Sequence, residues 1–317
     1  MVNNLKHAIC LLLLLLCCLP ADAQYDSTFV ETFASKTRVN GGLRYRDNTA
    51  TFYVDEEERL KLANSGLALR IGGRYKWLGY TFSIPLSDLG TTSELGRGRS
   101  LGANLELFRD KYYLNANGRR TIGFEERRVG EPNVFRDDIK FYNVLLFGFR
   151  VLNSKRFSLQ SSFKQRSRQL KRAGSLLLAG AVARQVLLAD SLNVPLSRSG
   201  NDDYTVTRYA QSRVGVGLGY AYTFLFGKNF FVTPLLLSGP EVRFLAYDPR
   251  DEDRVIERLR LSLRIRGRFA IGINGRHNYA ALTASYLPSA DYSENIDARV
   301  NETRIELAVG HRFNVPD

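Results

Sequence analysis

Between Arg258 and Ile273 the chain alternates without a break. One parity carries Arg258, Arg260, Ser262, Arg264, Arg266 and Arg268; the other carries Leu259, Leu261, Leu263, Ile265, Phe269 and Ile271. A period of two is the period of a strand, whereas a helix would scatter both sets around its surface. Such a strand needs water or carboxylates on one face, because burying each arginine without a partner costs several kcal/mol. It needs an apolar medium on the other. A second sheet supplies that medium in a soluble sandwich, and lipid supplies it in a membrane barrel whose small or polar residues point inward.

The same grammar recurs along the chain. In Val214 to Phe226, Val214, Val216, Leu218, Tyr220, Tyr222, Phe224 and Phe226 share one parity, and Gly215, Gly217, Gly219, Ala221 and Thr223 share the other. Arg38, Arg44 and Arg46 alternate with Val39, Leu43 and Tyr45, and Arg70 and Arg74 with Leu69, Ile71 and Tyr75. Ser158, Gln160, Ser162, Lys164 and Arg166 alternate with Phe157, Leu159 and Phe163, which predicts a strand there as well. Short connections such as Gly227-Lys228-Asn229 and Asn274-Gly275-Arg276 contrast with longer polar ones at Asp190–Tyr204, Asp248–Arg254 and Pro288–Glu302. Short turns on one rim and long loops on the other fit a transmembrane barrel. The reading is therefore all-β: a single antiparallel transmembrane β-barrel of about 12 strands, with 14 as the alternative.

The N-terminus sets the compartment. Lys6, an apolar run from Ile9 to Leu19, Pro20 and then Ala21-Asp22-Ala23 make the three-part pattern of a secretory signal peptide. The run is too short for a spanning helix, which needs about 20 residues. Cys17 and Cys18 at its end raise lipid attachment as an alternative, but Leu16 and Cys17 stand where a small residue is usual. Cleavage after Ala23 removes all three cysteines, Cys10, Cys17 and Cys18. The mature chain then has no thiol for a disulfide, a nucleophile or a metal site. Its net charge stays at +13, since Lys6 and Asp22 leave together. Export argues against a nucleic-acid partner for this basic chain. The expected layout is a signal peptide over 1–23, a flexible N-terminal stretch over 24–35 and a barrel over 36–317.

The last strand supports a location in the cell outer membrane. Ile305, Leu307, Val309, His311 and Phe313 alternate with Arg304, Glu306, Ala308, Gly310 and Arg312. A closing aromatic, Phe313, with Gly310 three positions before it, matches the signal read by the outer-membrane barrel-assembly machinery, although Asn314-Val315-Pro316-Asp317 follow it.

Several short motifs are familiar together. Phe157-Ser158-Leu159, Phe163-Lys164-Gln165, Arg168-Gln169-Leu170-Lys171-Arg172-Ala173-Gly174-Ser175, Tyr75-Lys76-Trp77-Leu78-Gly79-Tyr80 and Gly310-His311-Arg312-Phe313 resemble those of an uncharacterised exported family of Bacteroidota-type bacteria, a domain of unknown function of similar length. The resemblance covers most of the mature chain. It implies an outer-membrane β-barrel and brings no catalytic residue with it.

Enzymatic barrels need a constellation, and the mature chain has two histidines, His277 beside a turn and His311 on the outward parity. A Ser–His–acid site needs one of them to face a serine inside the barrel. An all-oxygen calcium site at Asp248, Asp251, Glu252 and Asp253 is a weaker reading than a solvated acidic loop. Gly215, Gly217 and Gly219 are no nucleotide loop, because a strand runs through them where a helix would have to follow; they suit a smooth lumen wall or strong curvature. The arginines carry the sharp reading. Arg38, Arg44, Arg46, Arg70, Arg74, Arg258, Arg260, Arg264, Arg266 and Arg268 on the inward parity make a basic lumen that attracts anions. The competing reading pairs them with inward carboxylates, Glu302 and Glu306 first, then Glu106 and Asp110.

The expectation is a monomeric, non-enzymatic outer-membrane barrel without cofactor or metal, in contact with outer-membrane lipid and passing or binding a small anionic solute, or serving as surface architecture. The alternatives are a membrane-embedded hydrolase of lipid or lipopolysaccharide and a soluble periplasmic β-protein. The mature protein should fractionate with the outer membrane and migrate faster on gels unheated than boiled. Recovery as a soluble periplasmic species would exclude the barrel.

Overall fold

The protein is described from a computed structural model covering residues 25–33, 37–54, 57–75, 78–86, 98–108, 110–128, 130–195, 203–249, 256–291 and 297–313. The segment read as a signal peptide lies outside the described residues, as do most of the acidic stretch after Asp248 and the four residues after Phe313. The strands are β1 (Val30–Thr32), β2 (Thr37–Val54), β3 (Glu57–Tyr75), β4 (Leu78–Pro85), β5 (Arg99–Phe108), β6 (Tyr112–Arg128) and β7 (Val134–Val151). After a short helix, α1 (Leu159–Phe163), come β8 (Ser167–Gln169), β9 (Ala173–Pro195), β10 (Asp203–Phe226), β11 (Phe230–Pro249), β12 (Ile256–Asn274), β13 (Asn278–Asp291) and β14 (Asp297–Phe313).

Twelve strands form one antiparallel sheet in the order β4-β3-β2-β14-β13-β12-β11-β10-β9-β7-β6-β5. Ten of them close into a ring, because Leu60–Ala63 of β3 also pair with Arg128–Glu125 of β6. The remaining two, β4 and β5, hang beneath that junction on the outer flanks of β3 and β6. The expected strand total is thus found in the sheet, while the closed ring is smaller. Closure matters because a backbone N–H or C=O left unpaired in hydrocarbon costs several kcal/mol.

The two parities part as the alternation requires. On β12, Leu259, Leu261, Leu263 and Ile265 face outward, with Leu261 77 % exposed, and Ala270 and Asn274 are buried on the opposite face. On β10, Val216 and Leu218 face outward while Ala221 and Thr223 are fully buried. A glycine on the inner face of β10 answers a close approach: a Cβ on Gly217 would stand 2.8 Å from the carbonyl oxygen of Ser238 on β11. The inward glycines therefore serve curvature as well as a bare wall.

The lumen is filled in layers. Toward the rim of the long loops, Phe52, Leu60, Leu62, Phe124, Ile139, Leu192 and neighbours form an apolar cluster. Toward the rim of the short turns, a second cluster joins Tyr113, Phe147, Phe149, Leu177, Leu235 and Leu237 of the wall to Phe157, Leu159 and Phe163. Those last three belong to the connection between β7 and β9, which folds into the barrel. Here the structure corrects the sequence reading, since Phe157 to Arg166 is no wall strand but a plug built around α1. Alternation is meaningful only where two faces meet two media. Phe157, Ser158, Leu159, Ser161, Ser162 and Phe163 are all buried, and the serine hydroxyls bond one another and the wall. Ser162 Oγ lies 2.7 Å from Thr233 Oγ1, and Asn274 Nδ2 donates to the carbonyls of Ser161 and Ser167 at 2.9 Å each.

The stretch expected to be flexible holds this plug in place. Its strand β1 pairs with β8 through Val30↔Gln169 and Thr32↔Ser167, and Val30 is buried. The Gln169 side-chain amide donates to the carbonyls of Phe29, Arg156 and Lys171 and accepts from Ser158 N. Tyr25 accepts a hydrogen bond from Ser158 Oγ, and burial pushes its phenol far above the usual range. The motif residues of the resemblance, Phe157–Gln165 and Arg168–Arg172, are largely this plug. The loops expected at Asp190–Tyr204 and Pro288–Glu302 are also shorter than read, since β9 runs to Pro195, β10 starts at Asp203, β13 reaches Asp291 and β14 starts at Asp297. A polar composition does not end a ladder once the strands leave the membrane and both faces meet water.

Leu261→Arg puts a guanidinium on the outward face near mid-strand, and a charge there costs about 2–4 kcal/mol at the bilayer midplane. The variant should unfold at correspondingly lower urea in phospholipid vesicles. Unchanged unfolding would mean that this face does not meet lipid.

Candidate functional site

Inward positions between the two apolar layers carry charge. On β14, Glu306 pairs with Arg44 at 3.0 Å and with Arg70, and Glu302 pairs with Arg304 at 3.0 Å, Arg119 at 3.4 Å and Arg46 at 3.9 Å. Two carboxylates thus serve five arginines drawn from β2, β3, β6 and β14. Across the lumen, Glu241 of β11 pairs with Arg243 at 2.9 Å and with Arg264 of β12 at 3.2 Å, its carboxylate fully buried. Arg213 and Gln211 of β10 are buried beside this pair, Arg213 opposite Arg243 in the β10–β11 ladder.

The ten expected lumen arginines divide by what they meet. Arg44, Arg46, Arg70 and Arg264 are in the ion pairs just described. Arg38 donates to the carbonyl of Lys164 in the plug at 2.6 Å. Arg268 lies over the ring of Phe163 at 4.4 Å, and Arg266 over the ring of Phe147 at 4.0 Å. Arg260 sits opposite Arg243 in the β11–β12 ladder. Arg74 and Arg258 hold strand positions, but their side chains lie outside the described residues. Glu302 and Glu306 are the expected partners; the Glu106 side chain lies outside the described residues, and Asp110 instead accepts from Gln160 of the plug at 3.3 Å.

Three arginines on β12 keep polar atoms without an acceptor. Arg266 Nε and Nη1, Arg264 Nη2 and Arg260 Nε are buried and bond nothing among the described residues. Arg264 and Arg266 border a cavity of about 30 Å³ whose other walls include Phe147, Leu237, Gly217 and Gly239. The cavity has room for about one water-sized body beside these guanidinium N–H groups.

The assembly-signal residues sit together near the short-turn rim. Gly310 faces inward beneath the ring of Tyr279, its partner across the β13–β14 ladder. Tyr279 in turn carries Arg312 over its face at 4.7 Å. Phe313 faces outward, 44 % exposed, with its ring 4.6 Å from that of His311. His277 stacks on His311 at 6.3 Å, so both sit at the rim, away from the charged layer.

Sequence reasoning overlooked Glu241, Arg243, Arg213 and Arg119, and a second cluster where Arg136 bonds Asp138 at 2.7 Å and Glu126 at 2.8 Å. The missing signal was opposite charge at spacing two. Glu302/Arg304, Glu241/Arg243, Glu126/Arg128 and Arg136/Asp138 all pair along one strand face.

This fold and interior define a transmembrane β-barrel with a plugged, arginine-rich lumen. The chain belongs to the family described as Domain of unknown function (DUF4421), whose model matches residues 24–313. No curated protein matches it in sequence. Among solved structures it is similar to the outer membrane protease OmpT from Escherichia coli, at 10% identity and TM-score 0.40 over 89% of this chain and 98% of that one. The beta domain of the Bordetella autotransporter BrkA gives 14% identity and TM-score 0.37 over 86% and 99%. The toluene transporter TodX of P. putida gives 7% identity and TM-score 0.25 over 88% and 90%.

Glu241→Gln leaves Arg243 and Arg264 buried without their shared counter-charge, a loss worth about 3–5 kcal/mol. The folded barrel should melt at a visibly lower temperature in detergent. A midpoint equal to wild type would show that the pair is dispensable.

Proposed function

We propose that this is a non-enzymatic outer-membrane barrel whose lumen holds a small anion. The observation that carries the reading is the excess of buried guanidinium N–H groups around the Arg264–Arg266 cavity. Leaving such charge unneutralised costs several kcal/mol, and an anion in the cavity removes much of that cost. The apolar cluster on one side and the plug on the other narrow the lumen, so the field of the arginines acts between low-dielectric walls. A filled lumen favours binding, or passage that requires the plug to move, over a standing open pore. The outward aliphatic rows and the rim aromatics favour outer-membrane lipid as the surrounding medium, and Phe313 favours delivery by the barrel-assembly machinery. The position of both histidines at the rim speaks against a His-dependent hydrolase.

The test compares folded wild type with the triple variant Arg260→Gln, Arg264→Gln and Arg266→Gln in sodium bromide and in sodium gluconate at equal ionic strength. Bromide at about a hundred times its dissociation constant should stabilise wild type by about 2.7 kcal/mol, and the triple variant should lose that difference. Equal midpoints for wild type in both salts would overturn the anion reading. Planar-bilayer reversal potentials then separate passage from binding.

A further inference from the structure

The wall also carries charge on its outward face. In the sheet β9, β7 and β6 stand side by side, and each brings one cation toward the long-loop rim: Arg184, Lys140 and Arg120. Their chain neighbours fix the face. Arg119, Thr121, Ile139, Ala183 and Gln185 are buried, and Phe141 packs against the inner apolar cluster, so the residues between them point away from the lumen. Arg120 and Arg184 are exposed, and Lys140 is half-buried.

The ladders gather the three around one aromatic. Arg120 is the partner of Tyr142, and Tyr142 that of Val186. Lys140 and Arg184 each lie two residues from that rung on the same face. Every cation is thus rooted beside Tyr142 or diagonal to it, within about 5–8 Å. The Arg120 guanidinium lies over the Tyr142 ring at 5.7 Å, and Arg184 Nη1 donates to Ser212 Oγ at 3.2 Å. Counter-charge is what the protein does not supply. Arg208, outward on β10, pairs with Asp248 at 3.3 Å, and Asp138, two residues before Lys140, is held by Arg136 at 2.7 Å. Among the described residues Arg120, Lys140 and Arg184 are in no ion pair.

Height sets what such a group meets. From Ala173, which opens β9 at the short-turn rim, to Arg184 the strand spans about 36 Å. Tilted by about 35–45°, it rises about 25–30 Å, the height of the apolar band of a transmembrane barrel. On the short-turn side of the patch the outward face is aliphatic: Val144, the ladder partner of Arg184, is 61 % exposed, and Val216 and Leu178 are exposed further on. The three cations therefore stand where hydrocarbon gives way to headgroups, and Tyr142 is a residue type of that boundary.

We propose that Arg120, Lys140 and Arg184 form a binding site for a phosphorylated lipid of the leaflet at the long-loop rim. The phosphate lies among the three cations, and the acyl chains lie on Val144, Val216 and Leu178. A phosphate brings the missing counter-charge and several acceptor oxygens for donors arriving from three strands. Anionic headgroups attract each Lys or Arg held at their level, and the attached chains hold the phosphate against the wall. The site is outside the barrel and is independent of the lumen anion; it rests on the lipid-facing wall.

The folded full chain in detergent is titrated with lipid A bearing two phosphates and with the same lipid stripped of both, bound lipid being counted by native mass spectrometry. The phosphorylated lipid should bind at least tenfold more tightly. Arg120→Gln, Lys140→Gln and Arg184→Gln together should abolish that preference, whereas Arg150→Gln with Arg172→Gln, at the opposite rim, should keep it. Inorganic phosphate at the same concentration should displace less than a tenth of the bound lipid. Phosphorylated lipid A with a photoactivatable acyl chain should label the outward rows of β7, β9 and β10 of wild type in preference to that of β12, which decides the matter if the triple variant fails to fold. Equal binding of the two lipids, an unchanged preference in the triple variant, displacement by inorganic phosphate or labelling spread evenly around the barrel would each overturn the site. Unchanged unfolding of Leu261→Arg in vesicles would instead remove the lipid-facing wall beneath it.

Discussion

Everything in this barrel follows from the need to pair backbone groups where no water can reach them. In hydrocarbon the ladder between neighbouring strands is the only partner on offer. That requirement makes every wall strand regular, and regularity imposes a strict two-residue period on the side chains. Long ladders such as β9–β10 and β10–β11 run nearly the full length of their strands. Once they are fixed, sequence has two decisions left, what to show the membrane and what to place inside. The fork beneath the β3–β6 junction is informative for this reason, since there β3 and β6 exchange each other for β4 and β5 as ladder partners among the described residues.

The interior solves a harder problem than the exterior, because arginine is costly to bury and this lumen buries many. Two devices reduce the cost. Carboxylates two residues away on the same strand, as in Glu302/Arg304 and Glu241/Arg243, fix a partner before any tertiary contact forms. Each carboxylate is then shared across strands, Glu241 with Arg264 and Glu302 with Arg46 and Arg119. Sharing lets each of these carboxylates hold arginines from more than one strand at once.

Much of the wall was legible in the sequence because each wall strand lies between two contrasting media. Arg258 to Ile273 and Val214 to Phe226 could be assigned face by face, and the Glu302 and Glu306 partners followed from parity. The plug was not legible. Phe157 to Arg166 imitates alternation, but every side of it is protein, so apolar and hydroxyl residues are tolerated in any order. The ten-membered ring was hidden too, because β4 and β5 have strand composition and only the pairing of Leu60–Ala63 with Arg128–Glu125 tells the ring from the sheet. Glu241 was overlooked because Arg243, two positions on, was not read as its partner, and its other partner, Arg264, lies on the next strand.

The plug also explains why arginine continues down to the short-turn rim. A helix as short as α1 leaves its last carbonyls without intrahelical donors. Gln165 follows it in the left-handed region, at φ 48°; its side-chain amide donates back to the Ser162 carbonyl at 2.6 Å, and the Lys164 and Gln165 carbonyls are met from the wall. Arg38 takes the Lys164 carbonyl at 2.6 Å, and Arg312 takes that of Gln165 through both Nε and Nη2. Arg312 reaches the Gly275 carbonyl and Asn274 Oδ1 as well, tying plug to wall with one planar group. A lysine would offer one point of charge where this site uses a fork. The inward arginines therefore have two kinds of work: near the short-turn rim Arg38 and Arg312 satisfy backbone carbonyls of the plug, and at mid-lumen Arg44, Arg46, Arg70, Arg119 and Arg264 face carboxylates.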